Sequence, residues 1–184
     1  MERISIHLDS NVTLSALKAG ARDPLIMIPG WSQSSEEWKG SAATLSAVRE
    51  VIALDMRGHG ESDKPDYGYR VYRLAQDLHE TINKLEFPTV DLMAHSMGCS
   101  VIWAYIDLYG QDRIGRLVLV DQAPCMFPRA EWSPEEMEQF GCFYKSADEV
   151  DELAASAMDC VDLDSTIDFV RGFFTTDFPE QSLP

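Results

Sequence analysis

Histidine is scarce in this chain of 184 residues: four are present, at positions 7, 59, 79 and 95, and none follows. Basic residues are also few. The net charge is −16, and it is unevenly spread. Residues 1–130 carry 17 acidic and 13 basic side chains, whereas residues 131–184 carry 14 acids against only Lys145 and Arg171. Such a balance repels phosphates, which excludes a nucleic-acid partner and an anionic membrane surface. The step in charge suggests a change of layer near residue 125, or equally a solvated acidic helical face. The four cysteines, Cys99, Cys125, Cys142 and Cys160, form no CxxC or zinc-type spacing, so reduced thiols and no metal site are expected. No apolar run approaches the ~20 residues of a membrane span, and Met1–His7 lacks the apolar core of a secretory signal. A cytoplasmic protein is the expectation. Internal repeats, low-complexity segments and phosphate-binding loops are missing too, so no cofactor is expected. Nothing in the sequence sets the oligomeric state.

The remaining composition is that of one folded, soluble domain with a sizeable core: 45% hydrophobic and 25% charged. Ile4–Leu8 and Val12–Ala19 read as an antiparallel hairpin around the turn residues Asp9, Ser10 and Asn11. Leu25–Ile28, Val51–Leu54, Val90–Met93 and Leu117–Val120 are short, continuously apolar runs, as parallel strands covered on both faces require. Helical spacing lies between them. Ser34 and Glu37 form a capping box for a helix burying Trp38, Ala42, Leu45 and Val48. Tyr69–Leu85 places Val71, Leu74, Leu78, Ile82 and Leu85 on one face. A helix beginning after Ser96 buries Val101, Ile102, Ala104, Tyr105 and Leu108 and stops near Gly110. This alternation predicts an α/β fold, a mainly parallel sheet with helices on both faces.

Beyond Pro124 only helical signals follow. Ser133-Pro134-Glu135-Glu136 and Ser146 with Glu149 are helix starts, and Ser165–Phe174 is a third helix. Residues 1–124 are therefore expected to form the core and residues 125–184 a helical lid.

The stretch Ala94-His95-Ser96-Met97-Gly98 joins an apolar strand directly to a helix, with small residues two positions either side of a serine. A sharp strand-to-helix turn holding one hydroxyl at its apex needs that pattern. Ser96 reads as a nucleophile; the alternative is an ordinary helix N-cap. Two further stretches follow apolar strands: Ile28-Pro29-Gly30-Trp31, and Asp55-Met56-Arg57-Gly58-His59-Gly60-Glu61-Ser62.

Together these three stretches resemble the α/β-hydrolase fold superfamily, in its lid-bearing serine hydrolase branch. The elbow has alanine where that family usually has glycine, and the first loop has proline where histidine is usual. The resemblance implies that the backbone N–H groups of Trp31 and Met97 form an oxyanion hole, and that Ser96 forms an acyl intermediate. The family's order is serine, acid, histidine. Asp121, closing the strand Leu117–Val120, is either the acid or a structural residue of the turn into the lid. No histidine follows Ser96. His95 is expected to pack beside the elbow, His59 to shape a structural turn, His79 to lie at the surface, and His7 to sit in the hairpin. The family's last strands, which carry the usual acid and the histidine, are expected to be missing, leaving the strand at Leu117–Val120 as a bare apolar edge.

The resemblance thus implies a hydrolase of an ester, amide or lactone bond, with activity of the 184 residues alone in question. Serine at the elbow argues against dehalogenase or epoxide-hydrolase chemistry, which in resembling enzymes uses aspartate there. The alternatives are a non-catalytic small-molecule binder and an inactive fragment. The lid aromatics, from Phe127 and Trp132 to Phe173 and Phe174, suggest a largely apolar pocket roof, though by themselves they identify no ligand; a small-molecule substrate with an apolar part is the expected partner.

Overall fold

A computed structural model describes residues 1–122, 133 and 134. Six strands form one sheet: β1 (Glu2–His7), β2 (Thr13–Ala19), β3 (Pro24–Ile28), β4 (Glu50–Leu54), β5 (Val90–His95) and β6 (Ile114–Val120). Their order is β1-β2-β4-β3-β5-β6. β1 and β2 are the expected antiparallel hairpin, and β2 also pairs antiparallel with β4. The β4, β3, β5 and β6 pairings are all parallel. Three helices follow strands: α1 (Lys39–Leu45), α2 (Val71–Lys84) and α3 (Met97–Tyr109).

The continuously apolar runs of β3 and β4 are explained by burial on both faces; Leu117–Val120 of β6 is not so covered among the described residues. Along β3 and β4, Ile26, Ile28, Ile52 and Leu54 join one core with α2 and α3. Leu25, Met27, Val51 and Ala53 face the other way and pack with Trp38 and Ala42 of the segment after β3. Leu74, Leu78 and Ile82 of α2 are fully buried, as their spacing requires. Each such side chain contributes ~1.5–3 kcal/mol on transfer from water.

The register brings four strand ends level. Ile28 pairs with Ala94, and His95 pairs with Val120. Chain order runs outward from β3 to β4 on one side, then to β5 on the other. The crevice outside the carboxyl ends of β3 and β5 is therefore the switch point where parallel sheets hold ligands.

Several expectations at element ends are corrected. The segment after β3 begins as a 3-10 turn, Ser35–Trp38, and Ser34 Oγ accepts from Glu36 N (3.4 Å) rather than from Glu37. α1 stops at Leu45, so Val48 is 68% exposed. Leu108 is 48% exposed, because it falls in the last turn of α3, beyond the sheet. His79 is half-buried rather than open to solvent: it stacks on the exposed Tyr109 (3.9 Å between centroids), bridging α2 and α3. Burial lowers its basicity, with Arg113 adding to the effect and Glu80 opposing it.

β6 is an edge among the described residues, and Val118 and Val120 are exposed on it. The lid expected over residues 125–184, with its three helices and aromatics, lies outside the described residues except Ser133 and Pro134; Pro134 is helical. Among the described residues no helix is long and apolar enough to cross a membrane.

Candidate active site

The elbow is a junction that sterics leave little freedom to vary. β5 ends at His95 and α3 begins at Met97, so Ser96 alone makes the turn. It does so at φ 49° and ψ −123°, a conformation that favours glycine. Ser96 stands at the N-cap position, yet its side chain makes no capping hydrogen bond. An ordinary N-cap serine has an extended backbone and bonds an N–H of the first helical turn. Here the backbone is strained and the hydroxyl is not used for capping. Strain of this kind costs of order 1–3 kcal/mol and is held by its surroundings. Those surroundings are backbone bonds: Ser96 N donates to Val120 O (2.9 Å) and Cys99 N to Ser96 O (2.8 Å).

Ala94 is fully buried, and Gly98 is forced. A Cβ at Gly98 would stand 2.6 Å from Ile28 O and 2.9 Å from Pro29 O. Both are backbone atoms at the end of β3 and cannot swing aside. Gly98→Ala is expected to push α3 away from β3 and to cost ~1–3 kcal/mol, read as a lowered midpoint in thermal or denaturant unfolding.

The same closeness brings the loop after β3 to the serine. A Cβ at Gly30 would lie 3.2 Å from Ser96 Cβ and 3.0 Å from His95 Nδ1. Trp31, next in the chain, is thereby placed beside the elbow with its side chain half exposed. Met97 is fully buried and occupies the first position of α3, where the helical ladder offers its N–H no acceptor. Gly30, the residue before Trp31, thus adjoins Ser96, and Met97 follows Ser96 directly in the chain.

Asp121 follows β6 with φ 56° and is largely exposed; its Oδ2 lies 3.9 Å from His95 Nε2. It adjoins the elbow but bonds no described imidazole at hydrogen-bond distance. The histidines are engaged elsewhere. His7 Nδ1 meets Thr13 Oγ1 (3.0 Å), His59 Nδ1 meets Arg57 O (2.9 Å), and His95 Nδ1 meets Gln33 Oε1 (2.8 Å). Among the described residues none is hydrogen-bonded to Ser96. Cys99, three residues on, is no rival nucleophile: burial pushes its thiol up to about 11, and it bonds Ala94 O and Val120 O.

The loop Asp55–Ser62 supports the crevice from the β4 side. Asp55 is buried and accepts from Ser35 N (2.6 Å), Arg3 Nη1 (2.9 Å) and Glu61 N (3.1 Å), tying the loops after β3 and β4 together. Arg57 is wholly buried and makes a two-pronged bond to Asp77 of α2 (2.7 and 2.8 Å). Sequence reasoning missed this pair and also missed Gln33. A bidentate contact between a loop and a helix twenty positions apart leaves no periodic signal. Gln33 sits in a polar loop where nothing marks a partner sixty-two residues away. Among the described residues no three His, Cys, Asp or Glu side chains converge as a metal site would require.

Comparison with known proteins agrees with this geometry. Residues 23–174 match the family model described as alpha/beta hydrolase fold. The chain is 33% identical over 116 residues to a soluble epoxide hydrolase of Corynebacterium sp. (strain C12), covering 63% of this chain and 40% of that protein. It is 31% identical over 117 residues to the non-heme chloroperoxidase CPO-A1 of Kitasatospora aureofaciens, covering 63% of this chain and 42% of the relative. The chain thus spans well under half the length of these curated relatives. Among solved structures, an esterase from Exiguobacterium antarcticum superposes with a TM-score of 0.78 at 22% identity, over 94% of this chain and 74% of the other. A bromoperoxidase from Bacillus anthracis gives 0.73 at 24%, over 98% and 76%. At those identities the likeness speaks for the fold. A parallel sheet with a strained serine at the strand-to-helix turn, and a family match over most of its length, make this chain a member of the α/β hydrolase fold family.

Proposed function

We propose that the chain carries the nucleophile and oxyanion hole of a serine hydrolase acting on an ester, amide or lactone bond. The observation that carries this reading is the state of Ser96: positive φ, N-cap position, and no capping bond. Ser96 Oγ attacks the substrate carbonyl carbon, and the N–H groups of Trp31 and Met97 stabilise the charge that develops on its oxygen. The bond to the leaving group then breaks, leaving an acyl ester on Ser96 that water hydrolyses. The step needs a general base that takes the Ser96 proton and passes it to the leaving group; no described histidine is hydrogen-bonded to Ser96, and Asp121 is the candidate acid. The relatives include proteins named as an epoxide hydrolase, an esterase and haloperoxidases, so the fold accommodates several chemistries. Serine at the elbow, rather than the aspartate of resembling epoxide hydrolases, favours acyl transfer. A small molecule with an apolar part, no cofactor and a cytoplasmic setting complete the proposal.

A second reading is a non-catalytic binder of small molecules. It is favoured by the absence, among the described residues, of a histidine hydrogen-bonded to Ser96. Incubation with p-nitrophenyl acetate separates the two. The hydrolase reading expects p-nitrophenolate release and an acetyl group on the peptide containing Ser96. A cooperatively folded chain that releases none and remains unacylated supports the binder.

A further inference from the structure

We propose that Gln33 and His95 are positioning residues that fasten the loop after β3 to the elbow and so set where the Trp31 N–H stands relative to Ser96. The inference rests on the serine-hydrolase reading above and names the device that holds its oxyanion hole together.

One oxygen is the centre of the device. Gln33 Oε1 accepts from Gly30 N at 2.9 Å and faces His95 Nδ1 at 2.8 Å. An atom that accepts from a backbone N–H must be the amide oxygen, so His95 Nδ1 must be the donor. The neutral imidazole is then the Nδ1–H tautomer. Its other nitrogen looks toward Asp121 at 3.9 Å, too far for a hydrogen bond. Two N–H groups converge on one carbonyl oxygen, which has a lone pair for each.

Gln33 N in turn donates to Gly30 O (3.3 Å), and Ser32 sits at φ 60°, so residues 30–33 form a closed turn. This turn is clipped by its own side chain to the residue that precedes the serine. The fit is close: a Cβ at Gly30 would lie 2.7 Å from Gln33 Oε1, so a larger residue there would displace the Gln33 side chain. The bonds from Gln33 Oε1 to Gly30 N and His95 Nδ1 tie the Gly30–Trp31 peptide to the end of β5. Displacing a group by ~1 Å at a reacting centre costs on the order of 10²-fold in rate.

The test is Gln33→Leu, which keeps the bulk and removes the acceptor, with Gln33→Glu as the conservative partner that retains an oxygen. Two readouts are taken on the full chain: the rate at which a fluorophosphonate probe labels Ser96, and 15N–1H NMR of the Gly30 and Trp31 amides and the His95 ring. In Gln33→Leu the labelling rate is expected to fall about ten- to a hundredfold. The Gly30 amide proton should move upfield, the Trp31 amide should shift, and His95 should lose its preference for the Nδ1–H tautomer. Gln33→Glu should restore most of the rate. An unchanged labelling rate in Gln33→Leu overturns the proposal. If the unmodified chain is not labelled at all, the serine-hydrolase reading fails instead. The Trp31 amide then decides the clip: a shift in Gln33→Leu upholds it, and an unmoved amide overturns it.

Discussion

Replacing Ser96 with glycine is expected to abolish acylation while making the protein more stable. Removing the hydroxyl of an activated serine lowers turnover on the order of 10⁴–10⁶-fold where the serine is the nucleophile. At φ 49° and ψ −123° glycine relieves the strain that the serine Cβ imposes, worth ~1–2 kcal/mol, or about 2–8 °C in Tm for a chain of this size. Alanine at the same position separates the two effects. Ser96→Ala should be equally inert but no more stable, because its Cβ keeps the strain. A capping serine would behave in the opposite way, since its loss costs ~1 kcal/mol of helix stability. Thermal unfolding of the two variants beside the unmodified chain reads the difference directly.

The second large effect concerns the buried pair of Arg57 and Asp77, both wholly shielded from solvent. Breaking such a pair leaves an uncompensated charge and costs ~3–5 kcal/mol. The two halves should not be equivalent. Asp77→Asn leaves a guanidinium that cannot shed its proton: burial works against its charge, but the residue keeps a pKa raised above its ordinary value by Asp77, and that support is what the variant removes. Arg57→Met leaves a carboxyl that burial already holds above its ordinary range, against the pull of Arg57 and Arg73. That carboxyl can accept a proton, so Arg57→Met should be the milder lesion.

Its deficit should also depend on pH, with a definite sign. A carboxyl whose pKa is raised by folding binds its proton more tightly in the native state. Its contribution therefore falls as pH rises from the unfolded-state pKa through the folded one. The Arg57→Met deficit should be smallest in acid, where Asp77 is protonated, and grow toward neutrality. Denaturant unfolding at several pH values measures this, and replacing both residues with apolar ones of similar volume should recover most of the loss.

The parallel strands were legible because burial on both faces leaves one kind of sequence: Leu25–Ile28 and Val51–Leu54 are apolar at every position and are buried at every position. The elbow was legible because Gly98 has no alternative so close to Ile28 O and Pro29 O. Hydrophobic period misled where a helix runs past the surface it packs on. Val48 and Leu108 continue the pattern of α1 and α3 but meet no partner. For His79 the period placed the ring one step off the apolar face, and the neighbouring helix supplied Tyr109 there. The contacts that brace the site, Arg57 to Asp77 and Gln33 to His95, join polar side chains from distant parts of the chain. Such pairs obey no period, and only the assembled sheet brings them together.

The most direct test of the central claim, that Ser96 is held as a nucleophile beside a formed oxyanion hole, is fluorophosphonate labelling of the 184-residue chain followed by peptide mass spectrometry. A single adduct is expected, with the Ser96 Oγ–phosphorus bond formed and fluoride released, and no adduct once the chain is denatured. A natively folded chain with Ser96 unmodified, or with labelling spread over other serines, would contradict the account.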